Sequence, residues 1–279
     1  MSLDPATPAR LHDLVEAFVQ TTQAVIDLGR GCGVQDLAQP TECPGWTVHD
    51  QISHVVGVES WLEGHKDPRV DMPYYDHIRN DLGKKVEYAV EVRRGRTGAE
   101  VVAELEDVLA QRLSTLRDPD LTDSSIINGP FGPDLAATVM LLRTFDVWTH
   151  EQDIRSALGR PGNLSSQAAS VFVSTVMLQL PRLIAKGAGV EPGHVVVIDV
   201  TGPIVARQCV RVEIDEQGWP RGHQMPADPT PDGATTISLS TEAFTRRAAG
   251  RRPVSDTAYS VVGDDAIAQR VLDALVVTH

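Results

Sequence analysis

A chain of 279 residues that is 42% hydrophobic and carries a formal net charge of -13 at pH 7 is long enough for two ordinary domains whose cores need neither disulfides nor a structural metal. The negative charge argues against nucleic acid as a partner, because that affinity rests on Lys and Arg displacing counterions. Cys32, Cys43 and Cys209 are odd in number and lack any CxxC pairing, which argues against a disulfide framework and for a reducing compartment.

The opening MSLDPATPARLHD has Asp4 and Asp13 where a secretory leader needs a basic start and an apolar run. No window reads as the 18 or more apolar residues of a membrane span, so the chain is expected to be cytoplasmic. Leu11, Leu14, Val15, Phe18, Val19, Thr22, Val25 and Ile26 keep a 3.6-residue period that Gly29 and Gly31 end, which predicts a first helix. After the turn TECPGW at Thr41 to Trp46, a helix from Thr47 to Glu63 starts on a capping box of Thr47 and Asp50. Tyr75 to Arg93 is predicted helical through Ile78, Leu82, Val86 and Ala89, and Glu100 to Arg117 is amphipathic with Val101, Val102, Leu105, Val108, Leu109 and Leu116 inward. The basic clusters at Arg93 to Arg96 and Gly250 to Arg252 read as solvated surface.

A further helix runs from Leu135 to Gly159. Together with the opening, Thr47 and Glu100 helices it suffices for a four-helix bundle, with the Tyr75 segment as an addition. Gly159, Pro161 and Gly162 interrupt the pattern, and a helix from Ser165 to Lys186 leads into a region of different grammar. HVVVIDV from His194, ARQCVRVEID from Ala206, ATTISLS from Ala234 and AYSVVG from Ala258 read as strands, with helices at Thr241 to Ala249 and Asp264 to Leu275. The fold expected is an α bundle over 1–160 and a smaller α+β domain over 161–279, joined through the Ser165 helix.

The chemistry gathers on the Leu135 helix, where Asp146, His150 and Asp153 form a polar stripe at spacings of four and three. Beside it stand Val139, Leu142, Phe145, Val147, Ile154 and Leu158, so the stripe needs partners that offset its desolvation. A metal ion is one such partner. Five histidines precede Asp146. His12 lies among polar positions, His49 in the first turn of its helix, and His65 and His77 in or beside a loop. His54 alone falls inside a helix on a face that Val58 and Trp61 extend. The faces thus point to His54, Asp146 and His150 as N, O and N donors with an open coordination position. The competing reading is an interior histidine satisfied by a carboxylate. Asp153 is read as salt-bridged to Arg143 or Arg155, the alternative being that it orients His150. Cys43 is read as a packed turn residue, and Trp46 and Trp61 as bundle packing.

PGWTVHDQISHVVGVE from Pro44 and RTFDVWTHEQDIRSALGRPG from Arg143 resemble the two helical motifs of the mycothiol-dependent maleylpyruvate isomerase family, within the DinB-like metalloenzyme superfamily. STEAFTRRAAGRR from Ser240 and VVGDDAIAQRVLDALVVTH from Val261 resemble that family's second domain, which is sterol-carrier-like. The resemblance implies a DinB-like bundle with a divalent metal, usually zinc, bound by residues that map onto His54, Asp146 and His150. It also implies mycothiol as thiol cosubstrate. This chain has Asp146 where the family pattern has Glu, and two nitrogens with one oxygen also suit iron, manganese or nickel. Arg251 matches, loosely, an arginine that the family's second domain sends toward the active site to hold a carboxylate; the competing reading is a surface charge at a helix end. The function implied is addition of a low-molecular-weight thiol to a small electrophile, of isomerase or S-transferase type. A thiol-independent metal-dependent hydrolase and a non-catalytic protein that binds a small molecule or lipid are the alternatives, and no motif bears on oligomeric state.

Overall fold

Apolar periodicity governs helix formation in the first half of the computed structural model. The structure describes residues 10–278; the segment 1–9, which holds most of the stretch read above for a leader, lies outside the described residues, as does His279. The described residues divide into two compact units, 10–162 and 163–278.

In the first unit, α1 spans Leu11–Arg30, α2 is a single turn at Val34–Leu37, and α3 covers Val48–Leu62. Then come α4 at Asp81–Arg94, α5 at Gly98–Leu116, a short hairpin of β1 (Ile126–Ile127) and β2 (Asp134–Leu135), and α6 at Ala136–Leu158. The predicted capping box starts α3: the Thr47 side chain accepts from Asp50 N, while the Asp50 carboxylate accepts from Thr47 N at 2.9 Å. α1 packs on α5 and α6, and α3 packs on α5 and α6 in turn, which makes the four-helix bundle, with α4 laid against α3. Phe18, Ile26, Ile52, Leu105 and Met140 are buried to 1% exposure or less at its centre, each contributing roughly 1.5–3 kcal/mol relative to an exposed position. Gly57 lets α4 approach, since a Cβ there would stand 2.4 Å from Ala89 Cβ.

α4 begins six residues later than the pattern from Tyr75 implied. Asn80 caps it, accepting from Gly83 N at 2.8 Å, and the Tyr75 to His77 segment becomes a turn tied down by side chains instead. The Arg93 to Arg96 cluster, read as solvated, is paired. Arg93 is 2% exposed between Asp67 and Glu104, and Arg94 holds Asp50, Glu87 and Glu91. Glu87 and Glu91 lie on α4 itself, while Asp50 comes from α3, Asp67 from the loop after it and Glu104 from α5.

The second unit starts with α7 (Gln167–Arg182), which Pro181 ends in a π turn at Leu183–Gly187. Strands β3 (Val195–Thr201), β4 (Val205–Ile214), β5 (Pro220–Met225), β6 (Thr235–Leu239) and β7 (Tyr259–Val262) form one sheet in the order β5-β4-β3-β6-β7. Only β3 and β6 pair in parallel. β3 is central, and its VVVIDV run is buried on both faces, as a continuous apolar strand should be. α8 (Thr241–Ala248) packs on β3 and β6, α9 (Asp265–Ala274) on β6 and β7, and α7 on β4 and β5. The first half is therefore helical and the second α+β.

β5 had no signal in the sequence, since PRGHQM opens on proline and alternates no apolar residues. It is an edge strand paired with β4 alone, the position where proline is tolerated. A second correction concerns membrane spans. The 21 residues Gln167–Gly187 are long and apolar enough to cross a membrane by length and composition, against the expectation that no such window exists. In the fold, Ala168, Ala169, Phe172, Val173, Val176, Met177 and Leu180 are at most 1% exposed, so that apolar face is core packing.

Candidate metal centre

α3 and α6 are neighbours, and their facing turns carry His54 on one side and Asp146 and His150 on the other. His54 Nε2 lies 3.1 Å from Asp146 Oδ2, and His150 Nε2 lies 3.5 Å from Asp146 Oδ1. The imidazole centroids are 4.3 Å apart. One donor atom from each of the three side chains falls within 4.8 Å of the other two. Ligand atoms on a tetrahedral ion with bonds of about 2.0–2.1 Å stand about 3.3 Å apart, so the N, O, N set fits a divalent ion with little movement. The two histidine side chains are 5% and 7% exposed and Asp146 33%, which makes the carboxylate the side of the cluster open to solvent.

The surroundings set the protonation states. Burial and the neighbouring His150 lower the pKa of His54 to about 4, against the pull of Asp146; it is neutral at pH 7. Burial alone would raise Asp146, but Arg143, His54 and His150 outweigh it and hold the carboxyl well below its ordinary value. Burial opposes a charge on His150 too, yet Asp146 and Asp153 lift its pKa above the ordinary value.

The tautomer of His150 follows from a chain of partners. Thr41 Oγ1 donates to Trp46 O at 2.9 Å and so accepts from Gln51 Nε2 at 2.8 Å. That orients the Gln51 amide with Oε1 toward His150 Nδ1, 2.5 Å away. Nδ1 thereby keeps its proton, which leaves Nε2, facing Asp146, as the nitrogen that would give up its proton to bind a metal. Asp153 adds a second acceptor, its Oδ2 standing 3.5 Å from the same Nδ1. A salt bridge to Arg143 or Arg155 was the expectation for Asp153, and the structure places it beside His150. Arg143 is engaged by Glu59 and Asp146, and Arg155 by Glu151. The alternative, orientation of His150, is what the geometry shows. His54 lacks such support, and its Nδ1 is buried with no hydrogen-bond partner.

Two neighbours, Gln51 and Glu59, carry no signal in the sequence. Gln51 lies one turn before His54, a spacing that is visible in the sequence but carries no chemistry until α6 arrives. Glu59 stands in the apolar second half of α3, 1% exposed, accepting from Arg143 Nε at 2.7 Å and Arg112 Nε at 2.9 Å. Trp46 does pack the bundle, but against the cluster itself, with its ring 5.0 Å from that of His54 and 5.8 Å from that of His150.

The other candidates have partners of their own. Cys43 is a half-buried turn residue whose carbonyl accepts from Trp46 N, and Trp61 donates to Asp67 Oδ2 at 2.9 Å. Arg251 follows α8 in the second unit, half-buried, with Nη1 donating to Ala249 O at 3.1 Å. A cleft of about 740 Å³ lined by Trp61, Lys84, Lys85 and Tyr88 contains none of the three donors.

Residues 5–155 match the family described as the mycothiol maleylpyruvate isomerase N-terminal domain. Two crystal structures, one of the mycothiol-dependent maleylpyruvate isomerase and one of a histidine-to-alanine mutant of it, are similar to this chain. Each shows 17% identity and a TM-score of 0.51, covering 90% of this chain and 92% of the other. At that identity the likeness is one of fold. No curated protein matches the sequence. Because the match of residues 5–155 takes in more than half of the 279 residues, the chain belongs to the mycothiol maleylpyruvate isomerase N-terminal domain family.

Proposed function

We propose that this protein is a divalent-metal- and mycothiol-dependent enzyme acting on a small electrophile, with His54, Asp146 and His150 as the metal ligands. The observation that carries the reading is the convergence of these three donors within 4.8 Å in a chain of this family. A divalent ion bound there, zinc by analogy with the family, supplies the Lewis acidity that makes a thiol available as thiolate at neutral pH. The chain's own residues prepare the place. Gln51 and Asp153 keep the His150 lone pair directed at the cluster, Trp46 walls both imidazoles off from water, and the part-exposed Asp146 leaves one side open for thiol and electrophile. Arg251 is assigned the role of holding a substrate carboxylate, on the family pattern alone.

Addition of a thiolate to an activated alkene, rotation about the former double bond and departure of the thiolate give isomerisation. Retention of the thioether gives transfer. The name of the structural relatives favours the first. Three free cysteines accord with a cytoplasmic location. The deciding experiment is elemental analysis of untagged protein, paired with an electrophile screen run with and without mycothiol. About one metal per chain, lost in His150→Ala, together with thiol-dependent turnover is the expected result. No metal after reconstitution overturns the reading, and turnover without thiol replaces it with a hydrolase.

A further inference from the structure

Behind Asp146 runs a line of alternating buried charges. Arg143 Nη1 donates to Asp146 Oδ2 at 2.9 Å and its Nε to Glu59 Oε1 at 2.7 Å. Glu59 Oε2 accepts from Arg112 Nε at 2.9 Å, and Arg112 Nη1 reaches Glu63 Oε1 at 2.9 Å. Glu59, Arg112 and Arg143 are 1–2% exposed. Apolar side chains of similar volume would pack there at less desolvation cost, so folding alone gives no reason for two guanidinium groups. Both arginines share Glu59, and Arg143 Nη2 is buried without a partner.

A fixed positive charge beside an anionic ligand has two consequences of different kind. It favours the ionised carboxylate whether or not an ion is present, which leaves metal affinity unchanged. It also repels an arriving dication, which lowers affinity, and in a buried site that repulsion is poorly screened. The contact with Oδ2 further leaves Oδ1, the oxygen nearer His150 Nε2, as the one free to coordinate.

We propose that the Glu59–Arg143 pair sets the affinity of this site for its divalent metal, with Arg143 as an electrostatic brake and Glu59 as the counterweight that limits it. Both are positioning residues, and the proposal rests on the metal-site reading above. It predicts opposite signs for the two neutralising substitutions, whereas a merely structural role weakens binding in both.

The test uses the full chain, stripped with a chelator and titrated with cobalt(II) alone, following the visible absorption and competing with a chelator of known affinity. Circular dichroism verifies the fold of each variant. Arg143→Gln is expected to bind at least about tenfold tighter than wild type and Glu59→Gln at least about tenfold weaker, while Arg143→Lys, which keeps the charge, stays within about threefold. Where a variant at either position fails to fold, Arg112→Gln and Glu63→Gln take its place, with tightening and weakening respectively and smaller factors. Shifts of the same sign, or none, overturn the proposal. Wild-type affinity in Asp146→Ala overturns the metal-site reading itself, so the two failures are distinguishable.

Discussion

Glu87→Gln tests how the polar wall behind the cluster is built. The Glu87 carboxylate, 1% exposed, accepts from Trp46 Nε1 at 2.8 Å, His77 Nε2 at 2.7 Å and Arg94 Nη2 at 2.6 Å. Two donors share Oε2 and the third uses Oε1, so an amide, with one oxygen and one NH2, must turn its NH2 toward at least one N–H. Arg94 keeps Asp50 and Glu91, which spares the full cost of an unpaired buried charge. The loss is therefore that of one or two charge-assisted bonds, about 2–4 kcal/mol. For a protein of this size that is a melting point lower by roughly 5–12 °C, read by circular dichroism at pH 7. The pH dependence has a definite sign. Burial would raise the pKa of Glu87, but His77, Trp46 and Arg94 together hold it below its ordinary 4.5. Its contribution is accordingly present above pH 4.5 and fades as pH falls through the depressed folded value, so the gap between wild type and variant narrows in acid. A melting point within about 1 °C of wild type at pH 7, or a gap that widens as pH falls, would refute this reasoning.

Two further substitutions separate the cluster from its scaffold. Gln51→Leu removes the acceptor for His150 Nδ1 and is expected to weaken zinc binding by roughly 10–100-fold with little loss of helix; unchanged affinity in a chelator competition would show that Asp153 suffices. Gly222→Ala, in β5, would place a Cβ 2.1 Å from the carbonyl oxygen of Pro181 in α7. Backbone cannot yield as a side chain does, so a stability loss of about 1–3 kcal/mol is expected in urea denaturation, and a neutral result would mean that α7 and β5 move apart freely.

α1 and α5 were legible because each has an apolar face with its own period, and the capping box at Thr47 and Asp50 located the start of α3, which is buried on nearly every side. The three donors were legible for a related reason, since His54 and the pair of Asp146 and His150 lie on inward faces of α3 and α6. Other elements had no local signal. α4 starts at Asn80 because that side chain caps it, although the apolar pattern extends further back. β5 exists because β4 offers an edge to pair with, and nothing in PRGHQM demands it.

By itself the sequence determined which faces turn inward and that a carboxylate and two imidazoles lie on them, because burial of apolar surface has a fixed period along each helix. Which polar groups meet there was decided by tertiary structure. Asp153 stands beside His150, Gln51 reaches the same imidazole across 99 positions of chain, and Arg143 joins Glu59 across 84. Hydrogen bonds and ion pairs act over about 3 Å, so their partners follow from how α3 and α6 are set against one another, and no periodicity along either strand of sequence encodes that.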